Sequence, residues 1–351
     1  MTHSLDISQM SRREFLKLSS ASLLSLLFIS KPTYAFAESL GAQESTVSLG
    51  RVTTNVVNMY DQPSLDGKLL RTLWQDLVLP ITQVTISTSE PAHNRTWYQL
   101  NGEGYVHSGS VQPVAINLNE VISSAPEKGI LAEVTVPYTD AVWNPLFKKL
   151  FAHRLYYSTT HWILDVLVDA QGQTWYEVLE DFYQFKYYVN ASHMRVITED
   201  EVAPLSPSVP AKDKRIEVWL HDQIVIAYEG DDQVQMIRCS GGMKYFNKYL
   251  TPTGAFTTDY KRPSRHMVAG SKADANSFDL PGVPWVSFID EKGVSFHGTY
   301  WHNDFGKPRS HGCINLPSEG AKWVYRWTLP SVPYTDQTVH KFNGTNVRIS
   351  M

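Results

Sequence analysis

The residue types best able to do covalent chemistry stand together near the carboxy-terminal end. They run from His297-Gly298 through Tyr300-Trp301-His302 to Arg309-Ser310-His311-Gly312-Cys313-Ile314-Asn315. A cysteine attacks as its thiolate, and a free thiol has a pKa of about 8.5, so a nucleophilic cysteine needs a proton acceptor or a positive charge beside it. His297, sixteen residues before Cys313, is the candidate base. Glycine at 312 lets the backbone approach a substrate closely. A tight turn there would aim the amides of Gly312 and Cys313, with that of His311, at a developing oxyanion.

The same residues admit two plainer readings. One is a buried thiol with two hydrogen-bonded histidines; the other is a metal set of His297, His302, His311 and Cys313. The spacings are not those of a structural zinc site, and a metal would occupy the thiolate that transfer chemistry needs. Taken singly, His302 reads as a solvent-exposed loop residue, and Arg309 as either a solvated charge or an attractor of carboxylates. Tyr300 and Trp301 read as groove lining or as core. Cys239 reads as a small buried residue; a reversible disulfide to Cys313 would require Cα atoms within about 7 Å.

These residues must be held by a β-rich frame. Ile216, Val218 and Leu220 alternate with Glu217 and Trp219, then His221-Asp222-Gln223 turns the chain into Ile224-Val225-Ile226-Ala227, a hairpin pattern. Short runs at Val234–Cys239, Gly254–Thr257, Trp285–Phe288 and Val294–Phe296, separated by Gly, Pro, Asn and Asp, predict a mainly antiparallel sheet or sandwich. One helix is predicted from Ser318 to Trp327, with Ser318 as its cap and Ala321, Val324 and Tyr325 on its apolar face.

Upstream, two blocks share an order of features. Tyr60 is followed 37 residues later by Trp97-Tyr98-Gln99-Leu100, and Tyr138 at the same interval by Trp175-Tyr176-Glu177-Val178, which predicts an internal repeat of small barrels. Trp97 and Trp175 are expected as core anchors. Seams rich in proline at 112–129 and 201–210 mark the boundaries. The expected parts are therefore a leader at 1–37, barrels at 47–115 and 130–200, a linker at 201–212, and a catalytic domain at 213–351.

The 351 residues are 42% hydrophobic and 19% charged, which places the chain among globular proteins. A net charge of −4 gives no basic field for nucleic acid. At the amino terminus, Ser11-Arg12-Arg13-Glu14-Phe15-Leu16-Lys17 precedes an uncharged stretch from Leu18 to Ser30 and the small-x-small pattern Ala35-Phe36-Ala37. This resembles a twin-arginine export signal. Its apolar run is shorter than the roughly 20 residues a membrane span requires, and no later window of that length is free of charge, so no span is expected in the mature chain, although retention as an uncleaved signal-anchor stays open. Cleavage would remove four basic and two acidic residues, leaving a net charge of −6. Export would expose both cysteines to oxidising surroundings.

A histidine followed by glycine, then Ser-His-Gly-Cys, a hydrophobic residue and Asn, resembles the signature of the L,D-transpeptidase catalytic domain family. Ile216-Glu217-Val218-Trp219-Leu220 and Thr251-Pro252-Thr253-Gly254-Ala255-Phe256 resemble that family's amino-terminal strands, while Cys239 stands where a serine is more usual. The block at 47–115 resembles bacterial Src-homology-3-like domains, and that at 130–200 does so more loosely. The resemblance implies a β-sandwich catalytic domain that acts on peptidoglycan stem peptides without a cofactor or metal. Cys313 would be the nucleophile and His297 the base and acid, with the Gly298 carbonyl orienting the imidazole. His311, Gly312 and Cys313 would form the oxyanion hole, and Ser310, Asn315 and Trp301 the substrate pocket. Transfer to an amine, hydrolysis by water and a silent wall-binding role stay open at this point, as do the oligomeric state and the choice between periplasm and outer cell wall.

Overall fold

The structure is a computed structural model and describes residues 48–351 apart from 148–149, 245–249 and 271–276. The leader expected at 1–37 lies outside the described residues. Among the described residues, no helix is long and apolar enough to cross a membrane.

The first sheet contains β1 (Leu49–Val52), β2 (Val56–Tyr60), β3 (Leu69–Trp74), β4 (Val78–Ile86), β5 (Thr96–Leu100), β6 (Gly104–His107) and β7 (Val111–Val114). The second contains β8 (Ile130–Val134), β9 (Tyr138–Val142), β10 (Phe151–Tyr156), β11 (Thr160–Val168), β12 (Thr174–Glu180), β13 (Phe185–Asn190) and β14 (Met194–Val196). Their strand orders are β3-β2-β6-β5-β4-β1-β7 and β10-β9-β13-β12-β11-β8-β14, which is one topology used twice. Each has a 3-10 turn before its last strand, in which the preceding side chain, His107 or Asn190, accepts from the amide two residues on. The repeated Trp-Tyr phrase falls on β5 and β12 in both copies. Trp97 and Trp175 are buried there, as expected of core anchors.

The remainder is a sandwich of two five-stranded sheets. In the first are β15 (Lys214–Trp219), β16 (Ile224–Glu229), β17 (Asp232–Arg238), β18 (Gly254–Thr257) and β24 (Asn346–Ser350), in the order β17-β16-β15-β24-β18. In the second are β19 (Tyr260–Ala269), β20 (Phe278–Phe288), β21 (Ser295–Gly298), β22 (Ile314–Leu316) and β23 (Val339–His340), in the order β22-β21-β20-β19-β23. Helix α1 (Glu199–Val202) precedes the sandwich, and α2 (Ser318–Trp327) packs on it through Ala321, Val324, Tyr325 and Trp327. The predicted helix span holds, but its cap differs: Pro317 occupies the N-cap and no side chain bonds the first turn. Proline has no side-chain acceptor for the first-turn amides, and Ser318, the first helical residue, is one position too late to cap them.

The three parts are joined by buried polar contacts. Arg51, 1% exposed, pairs with Asp76 at 2.9 Å, lies over the Tyr156 ring at 4.2 Å and donates to the Tyr300 carbonyl at 2.6 Å. Asp304, 2% exposed, holds His93 of the turn between β4 and β5 at 2.8 Å. On the other side, Glu180 at the end of β12 and Asp181 in the turn that follows grip β19. His266 bonds both Glu180 and Asp279, and Arg265 bonds Asp181 at 2.9 Å.

Candidate active site

The site is built on a parallel pair. Strands β21 and β22 align Phe296 with Ile314, His297 with Asn315 and Gly298 with Leu316. Alternation sends Phe296, Ile314 and Leu316 into the core, where each is fully buried. The same alternation places Ser295 and His297 on one face, and Cys313, one residue before β22, comes level with Ser295. The thiol donates to the Gly293 carbonyl and receives the Ser295 hydroxyl, both at 3.6 Å.

His297 is 2% exposed, and its Nδ1–H donates to the Gly298 carbonyl at 3.0 Å. That bond fixes the tautomer and leaves the lone pair on Nε2. Burial lowers the imidazole pKa to about 4, opposed by the Gly298 hydrogen bond. Burial also pushes the Cys313 thiol up, opposed by Ser295. Both groups are therefore neutral near pH 7, and no imidazolium–thiolate pair preforms. Gly298 cannot be anything larger, because a Cβ there would come within 2.7 Å of Pro284 Cγ.

The loop before Cys313 is held at several points. Gly312 has φ +115°, a conformation that suits glycine. Its carbonyl accepts from Thr251 Oγ1 at 2.8 Å, and its amide donates to Ser310 Oγ at 3.1 Å. Ser310, expected as a substrate contact, is buried and also bonds the Cys313 carbonyl. Its hydroxyl shapes the turn. The segment 240–242 forms a floor, with Ser240 exchanging both backbone bonds with Asn315 and the Gly241 carbonyl accepting from Arg309 and Ser310. Gln223 Oε1 receives the Gly241 amide at 2.6 Å.

His302 departs from its expected place. It is 4% exposed, with Nδ1 accepting from the Asp304 amide at 3.3 Å and Nε2 lying 3.0 Å from the Asn315 carboxamide. With Nδ1 accepting, Nε2 carries the ring proton, and the partner that suits it is the carboxamide oxygen. Asn315 is 2% exposed and thus positions the loop through His302. His311 is exposed with its ring 5.3 Å from Phe278. Trp301 is half-buried with its ring 5.7 Å from that of His297, whereas Tyr300 is buried and stacks on Tyr156. Arg309 and Lys307 both pair with Asp304. Cys239 is a fully buried free thiol in the sandwich core, with its pKa pushed up to about 12 by burial. Among the described residues, no group of three or more His, Cys, Asp or Glu is placed to hold a metal ion.

Ser295 and Asp304 were not singled out from the sequence, and Thr251 was read only as part of a strand segment, without its bond to the Gly312 carbonyl. Ser295 alone carried a usable signal, since it lies two residues before His297 on a strand and so shares its face. Removing its hydroxyl takes away a donor to the thiolate. Ser295→Ala is expected to slow alkylation of Cys313 by iodoacetamide severalfold at pH 7 and to move the pH–rate curve to higher pH. An unchanged curve contradicts that role.

Three histidines are buried neutral: His161, His297 and His302, with pKa values lowered by burial to about 3, 4 and 3. Below their ordinary value of 6.5 the unfolded chain binds protons that the folded chain refuses. Their stabilisation is complete above that pH and is lost as pH falls toward 4, by about 1.4 kcal/mol per pH unit for each histidine. His266 runs the other way: burial opposes its charge, but Glu180 and Asp279 hold its pKa above the ordinary value. Its contribution is full below 6.5 and fades only at higher pH. A urea midpoint that drops between pH 6.5 and 5 is expected; a constant midpoint contradicts the neutral assignments.

Residues 213–349 match the YkuD family, the L,D-transpeptidase catalytic domain. L,D-transpeptidase 2 of Mycobacterium tuberculosis is 24% identical over 262 residues, 69% of this chain and 56% of that protein. YciB of Bacillus subtilis is 26% identical over 129 residues, 34% of this chain and 63% of that protein. The chain thus spans about three fifths of the length of these curated relatives. Among solved structures, an L,D-transpeptidase from Mycobacterium smegmatis shares 21% identity at a TM-score of 0.33, covering 40% of this chain and 59% of that one. L,D-transpeptidase 3 from Mycobacterium tuberculosis, solved with a faropenem-derived adduct, shares 15% at a TM-score of 0.32, covering 67% and 98%.

Proposed function

With an L,D-transpeptidase catalytic domain at residues 213–349, we propose that this chain is an exported cysteine acyltransferase that joins peptidoglycan stem peptides. The observation that carries the reading is His297, whose Nδ1 is committed to the Gly298 carbonyl and whose free Nε2 lies on the sheet face that also carries Cys313. Because thiol and imidazole are both neutral, proton transfer accompanies attack. The thiol leaves the Gly293 carbonyl, gives its proton to His297 Nε2, and Sγ bonds to the carbonyl carbon of the stem's third residue.

The resulting oxyanion is received by amides of the 311–313 turn. For the Gly312 amide this requires exchanging Ser310 Oγ for the oxyanion. Collapse breaks the peptide bond, and the departing D-Ala amine takes the proton from Nε2, leaving a thioester. An acceptor amine then attacks the thioester and passes a proton to Nε2, and the sulfur recovers it as the amide forms. The two repeated sheets, read as Src-homology-3-like, would keep the domain near its polymeric substrate and raise its effective concentration. The arginine pair at 12–13 supports delivery outside the cytoplasm.

Product analysis tests the function. The chain incubated with a disaccharide-tetrapeptide is expected to yield a cross-linked dimer and free D-Ala. Trimmed tripeptide without dimer would reassign the chain to carboxypeptidase activity.

A further inference from the structure

A cleft of about 380 Å³ opens where the first sheet meets the loop that leads into Ser310. Its walls differ in chemistry. Val56, Tyr60 and Leu65 form the side from the first sheet, with Val56 46% and Leu65 53% exposed, while Lys307 and Arg309 form the side from the catalytic domain. The two cations share a single carboxylate. Asp304 Oδ2 lies 2.8 Å from Lys307 Nζ and 2.7 Å from Arg309, and Oδ1 is taken by His93 and Asn94. One buried anion cannot neutralise both, so the cleft keeps a surplus positive charge on a chain whose net charge is −4. Lys307 and Arg309 stay partly exposed, at 41% and 31%, with donors left for a ligand. Arg238 adds a further cation behind the loop, donating to the His93 carbonyl.

We propose that this cleft binds a short anionic peptide, a second carboxylate-bearing peptidoglycan stem, beside the catalytic turn. The proposal rests on the peptidoglycan reading above. Its apolar wall suits alanine methyl groups and its cationic wall suits stem carboxylates, and Arg309 adjoins Ser310. A stem held there would lie against the turn that ends in Cys313.

The test uses the full chain carrying Cys313→Ala, titrated calorimetrically with a synthetic tetrapeptide stem and with the same peptide amidated at its carboxylates. The free-carboxylate peptide is expected to bind about tenfold more tightly, and the preference to shrink in high salt. Lys307→Glu and Leu65→Glu, both at exposed positions, should each weaken it about tenfold, and Leu65→Lys should not. The lysine variant separates charge from mere loss of the leucine. Equal binding by parent and both glutamate variants overturns the cleft. In parallel, the chain with Cys313 intact is assayed for acyl-enzyme. Acylation with indifferent variants removes the cleft and leaves the proposed function, whereas no acylation with charge-dependent binding removes the function and leaves the cleft.

Discussion

Replacing His297 with alanine is expected to slow acyl-enzyme formation by about 10²–10⁴-fold, the usual contribution of a positioned general base. The pH profile identifies the mechanism more sharply than the rate. Burial holds the imidazole pKa at about 4, so kcat/KM of the parent should be maintained at pH 5 and fall as pH passes through 4. The alanine variant should lack that acid limb, leaving a slow reaction that rises with the thiol's own ionisation. An acid limb centred near the ordinary histidine value of 6.5 would contradict the buried, neutral base. An ion-pair mechanism would also show a thiolate near pH 7, and the raised Cys313 pKa predicts little of it.

The second large effect lies far from the thiol in sequence. Arg51→Ala is expected to destabilise the chain by about 3–5 kcal/mol, the range for breaking a buried pair from one side. The guanidinium meets Asp76, Gln112 and the Tyr300 carbonyl at once, joining the first sheet to the strand-following loop behind His297. Its removal leaves Gln112 and the carbonyl without that donor and a void beside Tyr156. Asp76 keeps Arg154 at 3.0 Å and the Tyr156 hydroxyl at 3.2 Å, which limits the loss. Denaturant unfolding measures it directly, and a loss under 1 kcal/mol would show that the sheets are joined mainly by other contacts.

How far the sequence revealed all this depended on the range of the interactions involved. Cys313 and His297 could be named as a candidate nucleophile and base because a short stretch of chain holds both, and β15, β16 and α2 were legible because their buried faces are apolar at regular spacing. Strand β19 was not singled out. Its buried residues include Lys261, Ser264 and His266, and each is satisfied by a partner distant in sequence: Lys261 by the Tyr325 and Thr328 carbonyls, Ser264 by that of Thr160, and His266 by Glu180. Polar burial of this kind shows no hydrophobic period.

His302 misled for the same reason. A histidine in a polar loop reads as exposed until Asn315 and the Asp304 amide are brought to it by the fold. Ser310 looked like a pocket residue because it belongs to the motif, yet its hydroxyl has two backbone partners inside the turn. The repeat was visible in spacing alone, and the shared strand order accounts for it.

The most direct measurement of the central claim is intact-mass spectrometry of the chain and its Cys313→Ala variant after incubation with a disaccharide-tetrapeptide and, separately, with a carbapenem. A covalent adduct on the parent, mapped to Cys313 and absent from the variant, is the predicted result. A folded parent with reduced Cys313 that gains no mass with either compound, or an adduct that persists in the variant, would contradict it.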